Sequence, residues 1–233
     1  MNALRPPDAT ALPPVFAVLW EALQAMHHWR SGRCAQTIAT VARAVRLARE
    51  HGLRMWDFLL AAHEVYGYIN DGLPDRARLA LQRFERAIEA RRRIDLAHFH
   101  YLTALERLVA GDGAGALAGA EAADAIASHY GGPPQLALCR LAKAQALHAS
   151  GRAGEAWRAL ASARRFGDLL QGEVMGYQAD LCEASFALDG GDEARCASAL
   201  QRAFSVGARQ DYLNHPHFFP AEVARLCAFA LEH

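Results

Sequence analysis

Small and apolar residues recur along this chain at fixed offsets from glycine. After Gly151 come Ala156, Leu160 and Ala163, at five, nine and twelve residues. The same frame follows Gly191 (Cys196, Leu200, Ala203), Gly111 (Ala116, Ala120, Ala123), Gly72 (Ala77, Leu81, Phe84) and Gly32 (Thr37, Val41, Ala44). Successive glycines stand 40, 39, 40 and 40 residues apart. A second stripe precedes each glycine. Three residues back stand Trp29, Ile69, Leu108, His148 and Leu188, and seven back Ala25, Val65, Ala104, Ala144 and Ala184. Ten back stand Ala22, Ala62, Tyr101, Leu141 and Leu181, and fourteen back Val18, Phe58, Ala97, Ala137 and Tyr177. Steps of three and four residues trace one face of an α-helix. Alternating runs rich in Val, Ile and Thr, the mark of strands, are absent.

The pattern predicts helices over about 15–29, 34–49, 55–70, 74–91, 94–110, 114–129, 135–149, 153–166, 171–188, 193–206 and 221–232. Asp71-Gly72-Leu73-Pro74 is a strong turn, with proline set for a first helical position. Gly167-Asp168 reads as a terminator. The Pro-rich lead, 1–13, is expected to be loosely ordered, and 14–233 to form a single helical-repeat domain, excised from a larger protein. A period near 40 means stacked hairpins, each unable to bury its apolar surface alone. The expected fold is all-α: a right-handed, curved α-solenoid of about five hairpins plus a C-terminal helix, with a groove lined mainly by the first helices.

Composition narrows the classes. Of the 233 residues 52% are hydrophobic, ample for a continuous core, and 25 basic residues balance 25 acidic ones. No global field draws nucleic acid or an anionic membrane to such a chain. No apolar run reaches the length of a membrane span and the N-terminus lacks a signal-peptide pattern, so a cytoplasmic location is expected. The five cysteines form no CxxC pair and sit in apolar helical patterns, as buried free thiols do.

The frame of glycine, then a small residue five on, a bulky one nine on and alanine twelve on resembles the tetratricopeptide repeat. Gly151, Ala156, Leu160, Ala163 and Ala144 carry the likeness best. The period exceeds the 34 residues of that repeat, and its closing proline is missing. A narrower resemblance rests on Asp211-Tyr212-Leu213-Asn214-His215-Pro216-His217-Phe218-Phe219-Pro220 and the following Ala224–Glu232 stretch. These look like the end of the helical-repeat region in large bacterial LuxR-type, maltose-regulator-like ATP-dependent transcription regulators. The resemblance implies a domain that receives an inducer or a regulatory protein, flanked by an ATPase and a DNA-binding output domain. Neither flank lies in this sequence, which has no GxxxxGK[ST] and no basic recognition unit.

Candidate contacts follow from the expected groove. The aromatic cluster Trp56, Phe58, Tyr66, Tyr68, Phe99 and Tyr101 offers rings that hold a sugar or peptide, or simply pack between helices. The residue eight before each turn glycine is polar: Gln24, Glu64, Thr103, Lys143 and Glu183. With His63, His100, Arg107 and Arg140 these are the expected polar groove contacts, a solvated face being the plain alternative. His98 and His100 lie two apart on a helix, roughly 200° around the axis, and do not share a metal easily. His215 and His217 lie in a loop without a cysteine nearby. Glu106 and Glu183 read as lone carboxylates. Catalytic motifs such as GxSxG, HExxH and the Rossmann glycines are absent, so binding is expected in place of turnover, with no cofactor or metal.

Two readings compete. One is a sensing domain of a transcription regulator, taking an effector or partner protein without touching nucleic acid or membrane itself. The other is a free-standing adaptor for a peptide or protein. A carboxylate clamp of the co-chaperone type is disfavoured, since the chain has one lysine and three asparagines, Asn2, Asn70 and Asn214. Leu226, Phe229 and Leu231 on the last helix are expected to be exposed and to support a homodimer.

Overall fold

The computed structural model describes residues 12–88, 92–170, 172–213 and 220–233. Eleven α-helices account for most of these, and no strand occurs among the described residues. They are α1 (Pro14–Arg30), α2 (Cys34–Glu50), α3 (Asp57–Asn70), α4 (Pro74–Ala87), α5 (Arg93–Val109) and α6 (Gly113–Tyr130). α7 (Pro133–Ala149), α8 (Ala153–Asp168), α9 (Glu173–Asp189), α10 (Glu193–Gln210) and α11 (Pro220–Glu232) follow, and a short 3-10 turn, Arg54–Trp56, leads into α3.

The helices pair in chain order, α1 with α2 through to α9 with α10. Five glycines make the turns: Gly32, Gly72, Gly111, Gly151 and Gly191 all have φ between 67° and 76°. That left-handed conformation costs an L-residue with a Cβ and costs glycine little. Each turn closes the same way. The Gly151 N–H donates to the His148 carbonyl at 2.9 Å and the Arg152 N–H to the Leu147 carbonyl at 2.9 Å. These paired bonds satisfy helix-end carbonyls that otherwise lack donors. Asp112 and Asp192 cap the helices that follow, accepting from the N–H groups of Gly115 and Arg195.

Every residue at the five, nine and twelve offsets is buried, from Thr37 to Ala203. The small residues seven before each glycine are buried as well. The first helices also pack on one another, α1 on α3, α3 on α5, α5 on α7 and α7 on α9, while the second helices make no comparable contact with each other. First helices are therefore enclosed on more sides. α9 is buried nearly all round, including Gln178 and Asp180, whereas α4 and α10 keep broad exposed faces.

Several expected boundaries shift. α4 ends at Ala87, before the expected 91; Ile88 takes extended dihedrals and packs on the core around Phe84. The rest of that expectation, 89–91, lies outside the described residues. α8 ends at Asp168, within the Gly167-Asp168 terminator, whereas α10 runs past the expected 206 and through Gly207 to Gln210. A Cβ on Gly167 would stand 2.9 Å from Met175 Cβ, and one on Gly207 would stand 2.9 Å from the Tyr212 carbonyl oxygen. Both glycines are points of close approach. The last helix also differs: Leu226 and Phe229 are buried with the cluster formed by α7 to α10, and of the three expected apolar residues only Leu231 stays in solvent. The surface proposed for a homodimer thus loses two of its three anchors. No helix among the described residues is long and apolar enough to cross a membrane.

Candidate binding surfaces

The expected contacts separate into an aromatic interior and a set of outer ion pairs. Trp29, Phe58, Tyr66, Phe84, His98, Phe99 and Tyr101 interlock between α1, α3, α4 and α5, with Phe58 and Phe84 centroids 4.8 Å apart and Phe84 stacked on Phe99 at 5.9 Å. Tyr66 and Tyr101 are buried, which makes them packing residues and not groove contacts. His63 is corrected likewise: it is buried, and its Nδ1 accepts a hydrogen bond from Trp29 Nε1 at 3.1 Å. Burial holds the His63 imidazole down to about 3 and that of His98 to about 4, so both are neutral at pH 7. His98 Nε2 lies 3.0 Å from the Tyr66 hydroxyl. Tyr68 is half-buried beside this cluster. Trp56 belongs elsewhere, packed on the α1–α3 core through the 3-10 turn.

Of the polar residues eight before each turn glycine, Glu64, Lys143 and Glu183 border valleys between successive second helices and meet charges from those helices. Arg83 donates to Glu64 at 2.6 Å and Lys143 to Asp124 at 2.9 Å. Glu183 accepts from Arg195 at 2.7 Å and from Arg202 at 3.1 Å, and Arg164 binds it as well. Arg140 donates to Asp124 at 3.2 Å and lies over the Phe166 ring. Arg107 pairs with Asp112 at 3.1 Å. Thr103 is spent within its own helix, donating to the Phe99 carbonyl at 2.9 Å. His100 is half-buried against Phe99. Glu106 and Glu183 are therefore not lone carboxylates. Glu106, 1% exposed, accepts from Arg78 at 2.8 Å and lies 3.4 Å from Arg107.

The first of these valleys, between α2 and α4, differs from the rest. Its floor is Ile38, Val41, Val45 and Ala61, its rim carries Arg49, Arg54, Arg83 and Arg86 against Asp57 and Glu64, and its volume is about 380 Å³. Arg49 and Arg86 have no carboxylate partner among the described residues.

One feature escaped the spacing pattern because it joins residues far apart. The segment after α10 reaches back to the end of α1. The Leu213 N–H donates to the Arg30 carbonyl at 3.0 Å, and Ser31 Oγ lies 3.4 Å from the Asp211 carbonyl oxygen. The Arg30 guanidinium sits 5.1 Å over the Trp29 ring and 5.8 Å over the Tyr212 ring. No described carboxylate faces it, and burial lowers its affinity for the proton. A Cβ built on Gly72 would stand 3.7 Å from Pro220 Cδ, at the start of α11. The Asp211–Leu213 segment is thus in contact with the first hairpin. A periodic pattern reports only neighbours, and this contact joins residues about 180 positions apart in sequence.

No group of three or more His, Cys, Asp or Glu able to hold a metal occurs among the described residues. His215 and His217 lie outside them. Four cysteines are buried, and burial raises their thiols, that of Cys34 to about 11 and that of Cys139 to about 12; Cys227, expected to be buried, is exposed. Comparison with protein-family models, curated proteins and solved structures finds no match.

Proposed function

We propose that the chain is a signal-sensing and protein-interaction domain of a bacterial, LuxR-type transcription regulator, built as a tetratricopeptide-like, right-handed α-solenoid with a period near 40. It acts in the cytoplasm by binding an effector or a partner protein and performs no turnover. The observation that carries this reading is the contact between the Asp211–Leu213 segment and the end of α1. It supplies an array of neighbour-packed hairpins with an element whose two states, joined and parted, a ligand can favour unequally. The likeness of that same segment to the end of a regulator's repeat region agrees with it.

Sequencing the reading frame on both sides of this segment tests the proposal. A P-loop ATPase before it and a DNA-binding unit after it are the expected result. A start codon at Met1 with a stop after His233 would overturn it. The second reading, a free-standing adaptor, would then take its place, favoured by the arginine-rimmed valley between α2 and α4, whose apolar floor and surplus of positive charge suit an acidic amphipathic segment.

A further inference from the structure

Asp211 ends α10 in a left-handed turn with φ of 58°, the one described residue other than glycine with positive φ. The turn lays Tyr212 and Leu213 over the space between α9, α10 and α11. Beneath them lies a pocket of about 130 Å³. Its floor is Tyr177, Leu181 and Leu226, all buried. Its mouth carries Phe204 and Leu213, which are 40% and 65% exposed. Two large apolar side chains kept in water at the entrance of an apolar pocket mark a place for a ligand.

The dimensions and chemistry narrow the ligand class. A dry apolar cavity of about 150 Å³ binds benzene, so this pocket suits a single six-membered ring. Tyr177 and Tyr212 supply aromatic faces, their centroids 5.5 Å apart. No described lining residue is charged; the Tyr177 hydroxyl already donates to the Tyr212 carbonyl at 3.4 Å, and the Cys227 thiol stands at the mouth. A charged ligand would lose its hydration without compensation there.

We infer that this pocket is a binding site for a small, uncharged, one-ring aromatic molecule. The inference rests on the sensing role proposed above and names the class of effector. Tyr212 and Leu213 serve twice. They wall the pocket, and they hold the Arg30 end of α1. A ring seated against them bears on the residues that join the first hairpin to the last. Its binding shifts that equilibrium by the difference in its affinity for the two forms.

Benzene and benzoate, added to the full chain, test the assignment. Cys227 lines the mouth and is the exposed cysteine of the five, so its rate of reaction with a thiol reagent reads occupancy directly. Benzene is expected to raise the melting temperature and to slow Cys227 modification several-fold, and benzoate to do neither. Cys227→Phe, a change at a solvent-facing position that leaves the core untouched, is expected to fill the mouth and abolish the rise in melting temperature. Three results would each overturn the site: no effect of benzene on either measure, equal protection by benzoate, or an undiminished rise in Cys227→Phe. None of them touches the reading-frame test, so failure of the pocket and failure of the sensing role are told apart.

Discussion

At the residue scale the chief surprise is how many polar side chains the interior holds. His63 is one of them, a neutral imidazole that accepts from Trp29 and sits near Tyr66, Arg30 and His98. Its folded-state proton affinity is depressed, with a pKa of about 3, below the unfolded value of 6.5. The unfolded chain therefore binds the extra proton first. Stability is full above about pH 6.5 and falls as pH drops toward 3, by on the order of 1.4 kcal/mol per pH unit for this group. His63→Asn keeps an acceptor near the place of Nδ1 and removes the titration. Between pH 6.5 and 4 its melting temperature is expected to fall less steeply than that of the natural chain; parallel curves would show that His63 does not contribute. The role of His63 was hidden in the sequence because position on a helix says which residues share a face. It does not say whether that face meets water or another helix. Glu64, one residue on, does reach an open valley, where Arg83 neutralises it.

At the scale of the element, the hairpin was the most legible part. Glycine spacing located all five turns, and the offsets that follow each glycine named the buried seam residue by residue. The reason is physical: a left-handed turn selects glycine locally, and a close helix pair selects small side chains at fixed steps. Gly151 offers a clean test, because a Cβ placed there meets no other atom within 4 Å. The cost of Gly151→Ala is then conformational alone, about 1 kcal/mol. A urea midpoint lowered to that extent with unchanged slope is expected, and a neutral result would mean that the turn relaxes. Gly167, in the terminator at the end of α8, and Gly207, inside α10, play a further part. Their glycine serves a neighbour, Met175 in one case and Tyr212 in the other, and no local pattern distinguishes a glycine needed for φ from one needed for room.

At the scale of the whole molecule, the joining of the Asp211–Leu213 segment to the first hairpin was beyond the sequence pattern, since that pattern relates only residues close in sequence. Arg30 is its anchor on α1, held by its carbonyl and by the Trp29 and Tyr212 rings. Arg30→Ala removes the guanidinium contacts, about 1 kcal/mol, or roughly fivefold in the opening equilibrium. Amide hydrogen exchange is expected to quicken around the α1–α2 turn and to stay unchanged in α7 and α8; uniform exchange would place the join elsewhere. The same feature orders the assembly of the chain in time. Nearly all packing is between neighbours in sequence, so each hairpin can dock on the one before it as it leaves the ribosome. Leu213 meets Arg30 only after 183 further residues have been made, and the loop-closure cost of that distant contact falls after all five hairpins have been made. A nascent chain halted before Leu213 would hold its early hairpins folded and its two ends apart.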